Sequence, residues 1–332
     1  MRRMTYLLSF LALALLLSSN GCSQQTTESI PGGAASSNGG DEVSEKPAAV
    51  IGVSILTTTN PFFVQLAAAM DEEAKKHNFR LIHTSADTKV ATQTDQINEF
   101  ITQQVDAIVL CPCDSKLMGP AIMKANEVGI PVFTADIANL HEQAKVACHV
   151  ATDNYGGGKL AGETIAELLG GNGKVAILDY PEVESVLLRT QGFHEVVDKL
   201  PGIEIVGTWP CGGDEVMSFN AAQEVLQAHD DLDAFFAIND PTGIGAATAL
   251  EKAGKADRIE IVSFDAQPIG REAVKQGRIH ATIVQYPEQI GQKAIEAVAR
   301  YMNAEDVEKE LLIPCTVYRK ADADVDPTLE GK

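Results

Sequence analysis

Several side chains that can both give and take hydrogen bonds stand where short apolar runs stop. Asp136, Asp179, Asn239-Asp240, Asp265 and Gln285 each follow such a run, and Asn60 ends the polar stretch after another. Arg189 adds a guanidinium. A lone residue of this kind commonly caps a helix or closes a turn. Six of them, spread over both halves of the chain, point instead to a shared cleft. Carboxylates accept, amides do both, and a guanidinium donates in a fixed fork, a set that suits a neutral polyhydroxylated ligand.

The elements that must position these groups repeat one pattern. Apolar runs at Val50–Leu56, Arg80–Thr84, Ala107–Leu110 and Val132–Ala135 read as buried strands. Helices are expected between them, from Pro61 to about His77, at Thr92–Gln104 and at Lys116–Glu127. The pattern restarts after His149–Asp153, with strands at Lys174–Leu178, Glu204–Thr208, Ala234–Ile238, Ile259–Phe264 and Ala281–Val284. Intervening helices fall at Tyr155–Leu169, Arg189–Leu200, Glu215–Ala228, Thr242–Lys252 and Gln267–Gln276, then Glu288–Met302 before a last strand near Leu311–Tyr318. Apolar strands alternating with helices imply right-handed parallel crossovers, and this many units imply two doubly wound α/β sheets. Ligands of such sheets sit beyond the carboxyl ends of the strands, where the polar residues stand.

Composition narrows the function. The net charge of −20 repels phosphate backbones, so a nucleic-acid partner is not expected. Arg2 and Arg3 followed by the apolar stretch Tyr6–Leu17 read as an export signal over residues 1–21; about twelve residues fall short of the roughly 20 that span a bilayer. Ser19-Asn20-Gly21-Cys22 resembles a lipoprotein cleavage box with Ser where Leu is usual, making Cys22 the candidate lipidation site and a lipid anchor the sole membrane contact. Residues 22–48 are Ser-, Gly- and Thr-rich, a composition that forms no core and reads as a tether. Cys113 and Cys148 are either a disulfide or buried thiols like Cys111, Cys211 and Cys315. The seven histidines are scattered, and Asp322, Asp324 and Asp326 lack the Gly and Glu of a calcium loop, so neither metal nor cofactor is expected. Gly156-Gly157-Gly158-Lys159 lacks phosphate-loop spacing, and no nucleophile motif accompanies a His, which argues against an enzyme.

From about Ala49 to Lys320 the chain resembles the ribose-type periplasmic sugar-binding proteins of ABC transporters, whose type I two-lobed fold is shared with LacI-type repressor cores. The motifs are Asn60-Pro61-Phe62-Phe63, Arg189-Thr190-Gln191-Gly192-Phe193, Phe236-Ala237-Ile238-Asn239-Asp240, Phe264-Asp265 and Gln285-Tyr286-Pro287-Glu288-Gln289-Ile290-Gly291. The resemblance implies that Asn60, Asp136, Arg189, Asn239, Asp265 and Gln285 bond the ligand, and that Phe62 and Phe63 stack on it. On the residues alone, Phe62 and Phe63 also read as core, Arg189 as a surface ion-pair residue and Asp265 as a cap. Leu56, Ile137 and Gly213 stand where the ribose pattern has a hydroxyl residue, an arginine and an aromatic ring, so ribose itself is disfavoured against another pentose, a sugar alcohol, or a deoxy or branched sugar. Tyr180 and Trp209 are alternative sources of a second ring face, or packing residues.

The resemblance also implies three crossings between lobes, near Ala151–Asp153, Val284–Tyr286 and Pro314–Thr316. The lobes are then residues 49–152 with 286–314, and 153–285 with 315–323, followed by a tail over 324–332. A monomer that delivers its sugar to an ABC permease is the implied role, with a sensor feeding a chemoreceptor or kinase as the alternative.

Overall fold

The computed structural model describes residues 46–329. The signal, Cys22, most of the tether and the last three residues lie outside that range.

The chain builds two six-stranded sheets. The first half runs β1 (Ala49–Ile55), α1 (Pro61–Lys76), β2 (Phe79–Ser85), α2 (Val90–Thr102), β3 (Ala107–Leu110), α3 (Gly119–Glu127), β4 (Val132–Ala135) and β5 (His149–Thr152). The second half runs α4 (Asn154–Leu168), β6 (Gly173–Asp179), α5 (Glu184–Val197), β7 (Ile203–Pro210), α6 (Glu215–Ala228), β8 (Ala234–Ala237), α7 (Asp240–Ala253), β9 (Glu260–Asp265), α8 (Pro268–Gln276) and β10 (Ala281–Val284). Then come α9 (Pro287–Met302), β11 (Glu310–Ile313), β12 (Thr316–Arg319) and the short α10 (Lys320–Asp324).

Sheet one has the order β11-β5-β4-β3-β1-β2 and sheet two β12-β10-β9-β8-β6-β7. All neighbours are parallel except β12, which pairs antiparallel with β10 at the edge. Every residue of β3, β4, β8 and β10 is buried, as strands covered by helices on both faces must be. The doubly wound α/β reading therefore holds, with one antiparallel edge strand added.

The chain passes between the sheets three times. It crosses at Asp153 between β5 and α4, at Gln285-Tyr286 between β10 and α9, and at Pro314-Cys315 between β11 and β12. The single last strand expected over Leu311–Tyr318 is thus two strands in different sheets. Pro314 has no N–H to continue a ladder, and the break falls there.

Close helix contacts fix the site-bearing elements. A Cβ on Gly158 of α4 would lie 2.1 Å from the carbonyl oxygen of Arg189, and one on Gly192 of α5 would lie 2.1 Å from that of Tyr155. These glycines let α4 and α5 touch backbone to backbone, which explains the glycine run at 156–158 as packing. Helix α5 begins at Glu184, five residues before the expected start at Arg189, so Arg189 sits in its second turn. The five cysteines of the described residues are free thiols, so Cys113 and Cys148 are not bridged; both are buried. The segment expected as a tail is packed as far as Leu329: Asp326 accepts from the Tyr318 hydroxyl at 2.8 Å, and Leu329 is buried.

Candidate functional site

A cavity of about 810 Å3 opens where the carboxyl ends of β1, β4, β6, β8, β9 and β10 face one another. All eight principal candidates line it: Asn60, Phe62, Phe63, Asp136, Arg189, Asn239, Asp265 and Gln285. Leu56, Ile137, Tyr180 and Gly213 line it too.

Two of these residues are caps and cavity residues at once. The Asn60 side-chain oxygen accepts from the Phe62 N–H at 3.0 Å, with Pro61 in the first turn of α1, while its amide nitrogen donates to Asp265 at 3.4 Å. Asn239 accepts from the Thr242 N–H at 2.9 Å and donates to the Gly213 carbonyl at 3.1 Å. An amide has an acceptor end to hold a helix start and a donor end to address the cavity.

Asp136 and Asp265 depend on unusual backbone. Asp136 sits at φ 67° inside a tight turn closed by the Ile137 N–H on the Ala135 carbonyl, at 2.8 Å. Asp265 has φ 103° and Ala266 φ 53°. Non-glycine residues reach this region only at a cost, and such strain gathers at functional sites. Here it turns each carboxylate off its strand end into the cavity.

Arg189 is buried, not a surface residue. Its Nε donates to Asn154 at 2.8 Å, one terminal nitrogen donates to the Ile238 carbonyl at 2.7 Å and lies 3.5 Å from Asp265, and the guanidinium rests 3.9 Å from the Phe264 ring centre. Gln285 donates to Asp265 at 2.5 Å and accepts from the Thr152 hydroxyl at 2.6 Å. Asp265 thus receives Asn60, Gln285 and Arg189 together; even so, burial outweighs them and raises its pKa.

Asp136 is treated differently. Among the described residues nothing bonds its buried Oδ1, and Ile137, itself buried, sets no cation beside it. Burial lifts the Asp136 carboxyl to about 7 despite Arg189, with Asp265 and Glu184 adding to the rise. A buried acceptor left open is costly unless something supplies a donor. Phe62 and Phe63 stand edge to face at 5.1 Å and are at once core and cavity wall.

Gly213 has φ 64°, and a Cβ there would come within 2.8 Å of the Asn239 amide and 3.4 Å of the Tyr180 ring. Glycine is required, and Tyr180 already occupies that side of the cavity. Burial pushes the Tyr180 phenol up to about 12, so it remains a neutral hydroxyl. Trp209 corrects the alternative proposed for it: it covers Gly207 and meets the His229 ring at 5.9 Å, away from the cavity, because the edge strand β7 turns it toward α6. Asp179, another strand-end residue, lies outside the lining and accepts from Thr190 at 3.2 Å.

Sequence reasoning missed the cavity rim. Asp87 and Thr88, both at positive φ, reach in from the β2–α2 loop, as do parts of 182–186 and 214–217. Asp214 was legible as the cap of α6, accepting from the Val216 and Met217 N–H groups at 2.9 Å. Asp87, Thr88, Glu182 and Val183 lie in irregular loops with no periodic signal, whereas Ser185 and Val186 open α5, and Glu215, Val216 and Met217 open α6. Beside the rim, the Ser115 N–H donates to the Glu182 carbonyl at 3.1 Å, and the Glu184 N–H donates to the Ser115 hydroxyl at 2.9 Å, joining loops of the two sheets. Among the described residues no group of three His, Cys, Asp or Glu is arranged for a metal ion, and no helix is long and apolar enough to cross a membrane.

Comparison with known proteins places this geometry. A family model described as a periplasmic binding protein domain matches residues 51–306. The chain is 35% identical over 265 residues to the ribose import binding protein of Bacillus subtilis (strain 168), covering 80% of this chain and 85% of that one. Among solved structures, an ABC transporter solute-binding protein from Agrobacterium vitis with bound D-fucose is 30% identical with a TM-score of 0.78, covering 84% of this chain and 98% of that one. One from Bacillus halodurans with bound myo-inositol is 28% identical with a TM-score of 0.77, covering 85% and 98%. The two parallel sheets, their three crossings and the family match agree, and the chain belongs to the periplasmic binding protein family, whose members bind solutes without transforming them.

Proposed function

We propose that this protein is exported, is held at the membrane by a lipid on Cys22, and captures a small carbohydrate for an ABC permease. The observation that carries the reading is the convergence of Asn60, Asp136, Arg189, Asn239, Asp265 and Gln285 with two aromatic rings on one cavity. The set holds both donors and acceptors, and the rings offer a face to the C–H side of a sugar ring. Relatives named for ribose, D-apiose and xylitol bracket the ligand class. Leu56 and Ile137 make one side apolar, which favours a pentose other than ribose, a sugar alcohol, or a deoxy or branched sugar.

The two lobes, 49–152 with 286–314 and 153–285 with 315–323, act as bodies that close over the ligand about the three crossings. Bound sugar bridges both walls, so it binds the closed form better and shifts the population toward it. The Ser115 contacts with Glu182 and Glu184 belong to that form, and opening breaks them. The closed surface is then what the permease reads.

A thermal-shift screen of residues 46–332 against pentoses, hexoses and polyols tests the reading. A ligand at a hundredfold excess over its Kd stabilises by about 2.7 kcal/mol. A response to one or more sugars or polyols is expected. Silence across them, with amino acids or nucleosides responding instead, would falsify the carbohydrate assignment.

A further inference from the structure

Asp240 follows the cavity residue Asn239 and lies in the first turn of α7, yet it is fully buried and outside the cavity lining. Its carboxylate gathers three donors. The Ser263 and Thr282 hydroxyls reach one oxygen at 2.8 and 2.9 Å, and the Gln267 N–H reaches the other at 2.7 Å. The Thr282 oxygen in turn accepts the Ala266 N–H at 3.1 Å. The backbone amides of both residues after Asp265 therefore end on this one cluster.

That turn is the strained one. Asp265 and Ala266 hold φ values of 103° and 53° in succession, a conformation that persists only where surrounding structure over-determines it. Helix α8 presses on the same carboxylate, since a Cβ on Gly270 would fall 2.2 Å from it. We propose that Asp240 is a positioning residue for ligand recognition: it anchors the β9–α8 turn in the shape that aims Asp265 into the cavity. It touches no ligand and acts through Asp265. The inference rests on the carbohydrate-binding reading for its consequence, but not for its geometry.

Asp240→Asn keeps the size of the side chain and leaves one acceptor oxygen where the carboxylate has two, for the Gln267 N–H and the two hydroxyls to share. Amide hydrogen exchange on the ligand-free protein reads the geometry. Exchange at Ala266 and Gln267 should rise by about tenfold or more, with α1 and sheet one unchanged, as loss of a buried hydrogen bond of about 1.4 kcal/mol requires. Unchanged protection at these amides overturns the proposal. Titration with whichever of D-ribose, D-apiose and xylitol binds the wild type reads the consequence. Asp240→Asn should weaken that binding by about tenfold in the wild type and by less than about twofold in an Asp265→Asn background, because the two act as one unit. Equal losses in both backgrounds also overturn it, since a purely structural defect would not depend on Asp265. Should Asp240→Asn fail to fold, Thr282→Val removes the acceptor of the Ala266 amide and one donor to Asp240, and must raise exchange at Ala266 and weaken binding in the same way. If none of the three probes binds the wild type, the titration counts against those ligands while the exchange result still decides the positioning role.

Discussion

The two walls of the cavity are built on opposite plans. On the side of the second sheet, Arg189, Asn239, Asp265 and Gln285 are already bonded to protein partners, and Asp240 holds the turn behind them. On the side of the first sheet, Leu56, Phe62, Phe63 and Ile137 form an apolar surface edged by Thr57, Thr59, Asp87 and Thr88, together with Asn60 and with Asp136, whose buried oxygen has no partner among the described residues. On the proposed reading, one wall is finished before any ligand arrives, and the other is completed by the ligand. A preorganised polar network binds without further ordering, whereas an open buried acceptor discriminates by penalising any ligand that brings no donor.

The strongest way to break this comparison is to dismantle the finished wall. Arg189→Ala leaves the Ile238 carbonyl, the Asn154 oxygen and Asp265 without their shared donor in a buried place. Removing one partner of such a buried pair costs about 3–5 kcal/mol of folding stability. Denaturant unfolding should show it, together with a loss of ligand affinity of about 1.5–3 kcal/mol. Wild-type values for both would mean that Arg189 does not organise the site.

The unfinished wall should respond to pH instead. Asp136, raised to about 7 chiefly by burial, holds its proton more tightly folded than unfolded, where a carboxyl titrates near about 4. Its contribution to stability is therefore whole below about pH 4 and is lost as pH rises through about 7. Asp136→Asn removes that loss. The variant should gain melting temperature over the wild type at pH 8, and by a smaller margin at pH 5. Equal margins at the two values would show that the carboxyl is not the strained group.

The smallest effect is expected where one ring was a candidate for the cavity and the structure places it elsewhere. Trp209→Phe should leave sugar affinity within about twofold of wild type, and cost less than about 1.5 kcal/mol of stability, as a volume-similar apolar exchange does. A larger affinity change, measured by calorimetry, would return Trp209 to the site.

Much of this was legible in the residues because the fold writes its signals locally. Continuous apolar runs gave Ala107–Leu110, Val132–Ala135 and Ala281–Val284 to the residue. The strand-end polar groups were legible for the same reason, although Asn60 and Asn239 proved to be caps and cavity residues together. What escaped depends on contacts far along the chain. The rim loops at 87–88 and 182–183 carry no period. The split of the last strand at Pro314 depends on which sheet each half joins. The isolation of Asp136 needs its whole surroundings, for nothing beside it in sequence shows that its oxygen is unpaired.

That isolation makes a ligand-bound crystal structure, with a sugar or polyol found by screening, the most direct test. The walls described here require a ligand hydroxyl within about 3.2 Å of the Asp136 oxygen, and the ligand's C–H face on Phe62 or Phe63. A ligand held by the second wall alone, with Asp136 still unpartnered, would contradict the account.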